Sequence, residues 1–226
     1  MMNKLLISLL MVAGLTSCRF ITYTGNAVAT EPGPLVAKTC EVCRDFSAIV
    51  LSGAADVSFT QADEYAVSIK ADSTTLSNLL CQVEDGTLRI ESIGRARPVR
   101  RSKLDVKIQA PVLKAITVNG AADFDLSTYK SDSPLSVTVN GAGDLSFSHL
   151  TVPAVSVTVN GAGDIDLESI EVEDLFIEMN GAGDAEVSGH AAKAELRISG
   201  AGDVDIRNLA ADNVTTSKNG VGRIRR

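Results

Sequence analysis

The sequence contains no tryptophan, and aromatic residues make up only 4% of its 226 residues. Because aromatic rings are the usual platforms on which a sugar ring stacks, their scarcity disfavours an aromatic-lined binding cleft. Valine, isoleucine, leucine, threonine and serine dominate instead. These residues favour strands that stack in a narrow, regular way, so the composition predicts an all-β protein.

Positive charge is also in short supply. The formal net charge is -7 at pH 7, and 22% of the residues are charged. A protein that binds a nucleic-acid duplex needs a positive face to displace counterions, so nucleic acid is excluded as the main partner. The length is sufficient for one domain with a substantial core.

The N-terminus has the order of a secretory signal. Lys4 is followed by an apolar run over residues 5–14 and then by Leu15-Thr16-Ser17-Cys18, and the run is too short to span a membrane stably. The last four residues resemble the lipobox of bacterial lipoproteins, which implies cleavage before Cys18 and lipid attachment to it. The alternative is an ordinary cleavable signal with an incidental cysteine. We therefore predict a signal peptide over 1–17, lipid anchoring to the outer membrane through Cys18 (on the periplasmic face or the cell surface), and a linker over 18–44.

Three further cysteines are an odd number for an oxidising compartment. Cys40 and Cys43 form a CxxC motif, and Cys81 lies far along the chain. A thioredoxin-like site needs a βαβ context, which the pattern lacks, and zinc needs more ligands than the chain clusters. A structural disulfide or buried thiols are favoured, with the pairing left open, and no metal or cofactor is predicted.

A five-residue motif recurs in the second half of the chain at intervals of 19 to 21 residues. Its copies are Asn119–Asp123, Asn140–Asp144, Asn160–Asp164, Asn180–Asp184 and Ser199–Asp203, and the series ends at Asn219–Gly222. An earlier copy, Ser52–Asp56, lies 67 residues upstream of Asn119. That interval leaves room for about three more turns of the repeat or for a divergent cap.

The residues before and after each motif alternate between apolar and polar, as in Val155, Val157 and Val159, which indicates strands. Each repeat then has a glycine-rich corner and a second corner in its middle. Antiparallel hairpins in a sandwich and stacked parallel coils both fit such strands. A constant coil length is required only by stacked coils, so we predict a right-handed parallel β-helix of about 20 residues per coil over 45–222, with a basic tail over 223–226.

Equivalent residues of stacked coils form columns. A structural ladder at one corner is predicted for Asn119, Asn140, Asn160, Asn180, Ser199 and Asn219, with amides bonded along the column. A second column, which is a candidate cation-facing site, contains Asp123, Asp144, Asp164, Asp184 and Asp203. Carboxylates stacked at about 5 Å repel one another, so they must face solvent, accept backbone amides or meet cations. Known glycine-aspartate calcium repeats have a nine-residue period, so backbone capping is favoured and calcium is the alternative.

With the corners placed, the chain resembles the family "putative auto-transporter adhesin, head GIN domain". The resemblance rests on the recurrent corners, the opening strand 46–53 and the segment Glu84–Ile90, and it covers most of the mature chain. It implies a right-handed parallel β-helix, a location outside the cytoplasm and a role in adhesion or scaffolding, and it brings no catalytic residues.

The segment between the first two copies is less regular and is predicted to cap one end of the solenoid, which protects an open sheet edge. We predict a strand over 65–69, a short helix over 74–80 that begins after Asp72, and a tight turn at Asp85-Gly86. The one basic run consists of Arg95, Arg97, Arg100, Arg101, Lys103 and Lys107. A solvated loop is favoured for it over a surface for anionic lipid or lipopolysaccharide.

An enzyme is disfavoured. His149 and His190 are predicted to lie two coils apart, about 10 Å along the axis, and a uniform column of aspartates singles out no catalytic pair. The sequence therefore predicts a non-enzymatic lipoprotein of the cell envelope, an adhesin or scaffold with a rigid solenoid face, whose partners are the membrane and a glycan or protein ligand. The alternative is a polysaccharide-binding or polysaccharide-processing protein that uses the aspartate column, with calcium.

Overall fold

The computed structural model describes residues 34–40, 43–92 and 104–226. The predicted signal peptide, Cys18 and all of the basic run except Lys107 lie outside the described residues. The protein is almost all β, with 77% strand and 3% helix. The strands are β1 (Leu35–Thr39), β2 (Ala48–Gln61), β3 (Ala66–Asp72), β4 (Leu79–Glu84), β5 (Thr87–Ser92), β6 (Asp105–Ala110), β7 (Ala115–Lys130), β8 (Leu135–Ala142), β9 (Leu145–Thr151), β10 (Ala154–Ala162), β11 (Ile165–Ala182), β12 (Ala185–Ala201), β13 (Val204–Val221) and β14 (Ile224–Arg225), and the helix is α1 (Ser73–Ser77).

The repeating part of the chain is a parallel β-solenoid of about six turns. Each strand pairs in parallel with its counterpart one coil away, so that Asn140, Asn160 and Asn180 are direct partners along the stack. The same register continues from β11 through β12 to β13. The structure therefore confirms the stacked parallel coils, and antiparallel hairpins in a sandwich are not the arrangement of the repeats.

The first corner stacks directly on the second despite the long interval between them. Ser52 pairs with Asn119 and Asp56 with Asp123, and β2 and β7 stay in register from Ala48 to Phe59. Of the two possibilities left open for this interval, the divergent cap is confirmed, and three further turns of the repeat are not the arrangement. The chain leaves the solenoid after β2 and returns at β7.

The intervening segment covers the free edge of the first coil. β5 pairs in parallel with the first half of β2, and β6 pairs in parallel with its second half. β3 adds to β6 and β1 adds to β3, both antiparallel, while β4 and β5 form an antiparallel hairpin. β1 lies within the stretch predicted as a linker, so the folded part begins before residue 45. The cap gives the first coil hydrogen-bonding partners along both of its halves.

Helix α1 begins at a well-formed N-cap. The Asp72 side chain accepts hydrogen bonds from the backbone N–H groups of Thr74 and Thr75, each at 3.0 Å, and from the Thr75 hydroxyl at 2.6 Å. Burial opposes ionisation of Asp72, but these bonds from Thr75 and Thr74 outweigh it and lower the pKa of the carboxyl. The helix ends at Ser77 rather than at residue 80, because Leu79 and Leu80 pair with β5.

The core fills the tube with the inward side chains of every strand. In β10, for example, Val155, Val157 and Val159 are at most 2% exposed, and burial of such a side chain contributes about 1.5–3 kcal/mol. Most aromatic rings of the described residues lie inside as well, and Phe124 and Phe147 of successive coils meet edge to face with ring centroids 6.2 Å apart. The scarcity of aromatics noted in the sequence thus reflects a narrow interior.

The middle corner is less uniform than predicted. It interrupts the strands near Pro134 and Pro153, but β11, β12 and β13 continue through it. A separate irregularity lies earlier in these coils, where the register between β11 and β12 shifts between Leu167 and Ile170. At the position of Pro153 itself, the backbone N–H groups of Glu173 and Asp174 in β11 donate to the Pro153 carbonyl, so an uninterrupted strand takes the place of the predicted break.

The last coil is more polar inside than those before it. Lys218 pairs with Ile198, which in turn pairs with Met179, and the Lys218 ammonium donates to the Gly222 carbonyl at 2.6 Å. β14 then pairs with β13 at Val204 and Asp205. The residues predicted as a basic tail over 223–226 therefore begin a further turn of the solenoid.

Candidate functional site

Two outward surfaces flank the column of glycine corners. The amide face is the outer side of the sheet formed by the strand segments that precede each corner, in the order β5, β2, β7, β8, β10, β11, β12 and β13. The acidic face is the outer side of the segments that follow each corner, in the order β6, β2, β7, β9, β11, β12, β13 and β14. The coils stay in register across both faces.

The corners themselves require glycine because the coils touch there. Gly161 has a φ of 150°, and a Cβ built on it would overlap the carbonyl oxygen of Gly141 in the coil beneath. Only a residue without a side chain fits such a backbone contact. The glycine column therefore sets the distance between coils at the edge shared by the two faces.

An amide ladder borders this edge on the amide face. The side-chain amide of Asn140 donates to the side-chain oxygen of Asn119, Asn160 to Asn140, and Asn180 to Asn160, at 3.0 to 3.1 Å. All four asparagines are exposed. Ser199 and Asn219 continue the column in register. The ladder links successive coils by side chains in addition to backbone bonds.

The aspartate column, made of the five predicted aspartates, borders the edge on the acidic face. One carboxylate oxygen of each aspartate accepts a hydrogen bond from the backbone N–H of the equivalent residue in the next coil. The N–H groups of Asp164, Asp184 and Asp203 donate in this way to the preceding aspartate, at 3.0, 2.8 and 2.7 Å. The first such bond, from Asp144 to Asp123, is longer at 3.5 Å. Each carboxylate thus caps a backbone amide with one oxygen.

The column extends further than the sequence showed. Asp56 pairs with Asp123 on one side and with Asp105 on the other. Asp56 ends the earliest copy of the motif and could have been placed in the column from the sequence. Asp105 belongs to no repeat, so its position depends on the pairing of the cap.

A second acidic column runs beside the first. It contains Asp125, Asp166, Glu186 and Asp205, with Ser146 in the same row. Together with the aspartate column it forms what we call the acidic stripe. Burial, and to a smaller extent the Glu168 carboxylate outside the two columns, raise the pKa of Asp166. A shallow groove follows the stripe.

Arginines neutralise the C-terminal end of the stripe. Arg225 donates to Asp203 at 2.8 Å, and Arg207 donates to Asp205 at 2.6 Å. Hydrogen bonds from Arg207 lower the pKa of Asp205 to about 2, and the positive charges of Arg207 and Arg225 contribute to this shift. Ion pairing therefore reduces the negative charge of the stripe at its C-terminal end.

The amide face carries one compact cluster with a different chemistry. The Arg197 guanidinium lies over the Phe176 ring, 5.3 Å from its centroid, and donates twice to a Glu195 carboxylate oxygen, at 2.7 and 3.0 Å. Among the aromatic residues within the described ranges, Phe176 is the one that points outward from a coil. Sequence patterns did not reveal this cluster, because its members come from two coils and no motif joins them.

The two histidines lie on different coils. His149 pairs with Thr128, whereas His190 pairs with Glu171, with 3.9 Å between its Nδ1 atom and a carboxylate oxygen. The structure does not bring the two imidazoles together.

Three sulfur atoms meet inside the cap. Cys40 and Cys43 form a disulfide, and the Cys81 sulfur lies 3.7 Å from that of Cys43. All three residues are buried, and their sulfurs lie within 4.8 Å of one another, the one cluster of possible metal ligands in the described ranges. Because ligation uses thiolates, the disulfide state does not offer them. No spacing in the sequence places Cys81 beside the CxxC motif.

None of the helices within residues 34–40, 43–92 and 104–226 is long and apolar enough to cross a bilayer. Fold and surfaces together define a capped parallel β-solenoid with ordered side-chain columns on its outer faces. The model of the family described as "Putative auto-transporter adhesin, head GIN domain" matches residues 45–225. The chain belongs to this family.

Solved structures share the fold. A protein described as a putative adhesin from Bacteroides fragilis NCTC 9343 is similar with a TM-score of 0.69 and 21% identity, over 86% of this chain and 98% of that one. One described as a putative lipid binding protein from Parabacteroides distasonis ATCC 8503 has a TM-score of 0.63 and 19% identity, over 84% and 97% of the two chains. At these identities the likeness concerns the fold. A search of curated proteins returned no match.

Proposed function

We propose that this protein is a non-enzymatic adhesin of the cell envelope, tethered to the outer membrane by lipid at Cys18, whose amide face binds a glycan or protein on an apposed surface. Membership of the adhesin-like family supports the general role. The observation that carries the proposal is the unbroken parallel register of eight strands under the amide face.

Such a face resists deformation because each coil is bonded to its neighbours along its length. Asn160 shows the principle, since it donates to Asn140 and accepts from Asn180 while its backbone takes part in the parallel ladder. A surface that is already rigid loses little conformational entropy when it binds, which favours affinity. The solenoid therefore suits contact with an extended partner.

The cluster of Phe176, Arg197 and Glu195 provides the centre of the contact in this proposal. Aromatic and arginine side chains are enriched among the residues that dominate binding energies. The half-buried Phe176 ring supplies apolar area, and Arg197 is held over it by Glu195. Ser156 and Thr158 of the neighbouring coil border the cluster on one side, in β10, and their hydroxyl groups offer hydrogen bonds to a polar partner.

An attachment assay tests this function. Cells that lack the protein are made to express the full-length chain, and their attachment to arrayed glycans and envelope or matrix proteins is counted. Phe176→Ala and Arg197→Ala should each reduce attachment about tenfold, because truncation at the centre of an interface costs about 1–2 kcal/mol or more. Glu186→Gln on the acidic face is the matched control and should leave attachment unchanged. Equal attachment by all variants, at equal surface levels, would exclude the amide face.

The anchor is tested separately by cell fractionation. Cys18→Ala should move the protein from the membrane fraction to the soluble fraction, because a lipidated cysteine is the only attachment that the proposal invokes. Cys18→Ala protein that stays in the membrane fraction would contradict lipid tethering at this residue.

A second candidate function is binding of an anionic polysaccharide through calcium on the acidic stripe. It is favoured by the two carboxylate columns that run side by side along the acidic face. Carboxylate oxygens are ligands that calcium prefers, although the backbone already occupies one oxygen of Asp144, Asp164 and Asp184. Calorimetric titration with calcium, alone and with glycans, decides: saturable heat that Asp164→Asn abolishes supports this function, and the absence of heat contradicts it.

A further inference from the structure

The three buried sulfurs join separate parts of the cap. Cys40 directly follows β1, and its backbone N–H donates to the Val67 carbonyl of β3 at 2.8 Å. Cys43 lies shortly before β2, and Cys81 lies in β4, paired with Ile90 of β5. The exposed fractions are 2%, 1% and 0% for Cys40, Cys43 and Cys81. One sulfur cluster thus links the entry strand, the first coil and the hairpin.

Hydrogen bonding at the cluster has a defined direction. In the disulfide state Cys43 carries no hydrogen on its sulfur, so the thiol of Cys81 is the donor in the 3.7 Å contact between them. A thiol held against a disulfide sulfur is the reactant pair of thiol–disulfide exchange. The same burial that holds the pair together hinders access by external thiols.

We propose that Cys40, Cys43 and Cys81 form an internal thiol–disulfide exchange site, in which Cys43 is bonded alternately to Cys40 and to Cys81. The sulfur of Cys81, after loss of its proton, attacks the sulfur of Cys43. The Cys43–Cys81 bond forms, the Cys40–Cys43 bond breaks, and the electron pair leaves on the Cys40 sulfur, which takes up the proton. The number of disulfides is unchanged, so no external oxidant or reductant is required.

The exchange changes what the disulfide connects. In one isomer the disulfide joins Cys40 to Cys43, which have a sequence separation of only 3. In the other it ties the start of the first coil to β4, across a separation of 38, and leaves a thiol on Cys40 at the end of β1. The second isomer therefore fastens the cap to the start of the first coil and leaves a buried thiol at the C-terminal end of β1.

Disulfide mapping of the full-length protein tests the proposal without any substitution. The protein is isolated from an oxidising compartment, and one sample is incubated at mildly alkaline pH while another is kept acidic. Both samples are then acidified and alkylated in denaturant at acidic pH, where exchange is slow. The labelled cysteines are identified by peptide mapping. We expect the alkylating label on Cys81 in one fraction of the molecules and on Cys40 in the rest, and we expect the ratio of the two fractions to change with the alkaline incubation. Label confined to Cys81 under every condition would overturn the proposal.

Two variants distinguish exchange from mere proximity. Cys40→Ser should form the Cys43–Cys81 disulfide, so that neither cysteine is labelled. Cys43→Ser removes the shared partner and should yield label on both Cys40 and Cys81. Label on both remaining cysteines of Cys40→Ser, in protein whose circular dichroism matches the parent, contradicts the proposal. If that variant does not fold, the mapping of the unaltered protein decides alone.

Discussion

Gly120 is paired in register with Gly53, although 67 residues separate them in the chain. A Cβ on Gly120 would overlap the Gly53 carbonyl oxygen, and the same relationship recurs at every later corner up to Gly220 and Gly200. One column of glycines therefore runs from the capped end of the solenoid to its last coil. The column lets the backbones of successive coils approach one another closely at this edge.

The glycine column predicts that Gly161→Ala is strongly destabilising. The new methyl group would overlap the Gly141 carbonyl oxygen, and φ at this position is 150°, so the coils must separate or the backbone must change. We expect a loss of about 3 kcal/mol, the upper range for a residue held in a disfavoured conformation. Urea unfolding followed by circular dichroism measures the loss.

Gly53→Ala is the matched control for this prediction. Gly53 has a similar φ of 135°, but a Cβ there meets no atom of the described residues within 4 Å. Only backbone strain remains, so the expected loss is about 1–2 kcal/mol. Equal losses at Gly53 and Gly161 would show that contact between coils is not what excludes a side chain.

The amide ladder predicts a graded effect of asparagine substitutions. Asn160→Ala removes one donated and one accepted side-chain bond, whereas Asn119→Ala removes one. A typical net contribution is about 0.5–1.5 kcal/mol per bond, with the lower end fitting an exposed site. Asn160→Ala should therefore lower the free energy of unfolding by about 1 kcal/mol and Asn119→Ala by about half as much. Equal effects would argue against a cooperative ladder.

Tyr129 predicts a larger effect from the loss of a single oxygen. Its buried hydroxyl donates to the Leu113 carbonyl and accepts the Leu113 N–H, both at 2.7 Å. In Tyr129→Phe both backbone groups lose their buried partner, which costs about 1–3 kcal/mol for each unsatisfied group. We expect a loss of at least about 2 kcal/mol in urea unfolding. A value near zero would mean that these groups find other partners.

The end of the acidic stripe predicts a pH dependence. Hydrogen bonds from Arg207 lower the pKa of Asp205 from 3.8 to about 2. Since the folded-state pKa lies below the unfolded value, the stabilisation by this pair is complete above about pH 4 and disappears as the pH falls towards 2. Carboxyl NMR titration should place the midpoint of Asp205 near 2, and Arg207→Gln should return it towards 3.8. An unchanged midpoint in Arg207→Gln would assign the shift to another group.

The repeats could be predicted from the sequence because their information is local and periodic. Corners such as Asn140–Asp144 recur at nearly constant spacing, and one coil length aligns every column. The interval between Ser52 and Asn119 could not be resolved in this way, because its length fits three coils as well as a cap. Pairing of β5 and β6 with β2 decides between them, and that pairing depends on tertiary contacts.

The candidate site likewise has one part that the sequence repeat predicts and another that it does not. The columns of asparagine and aspartate follow from the repeat once the coils are stacked. By contrast, the contact of Arg197 with Phe176 and that of Cys81 with Cys43 join residues that belong to no shared motif. Such pairs are set by which non-repeating side chains the fold happens to bring together, so a period in the sequence contains no sign of them.

The stacking of the first corner on the second is tested most directly by one distance. Ser58, Asp125, Ser146, Asp166 and Glu186 are successive partners across the stack. Ser58 and Glu186 are thus four coil steps apart, or about 19 Å at about 4.8 Å per step. Spin labels introduced through non-natural amino acids at these two positions, with the native cysteines kept, should give a pulsed electron resonance distance close to this value. A distance near 34 Å, as expected for about three additional coils between β2 and β7, would contradict the account.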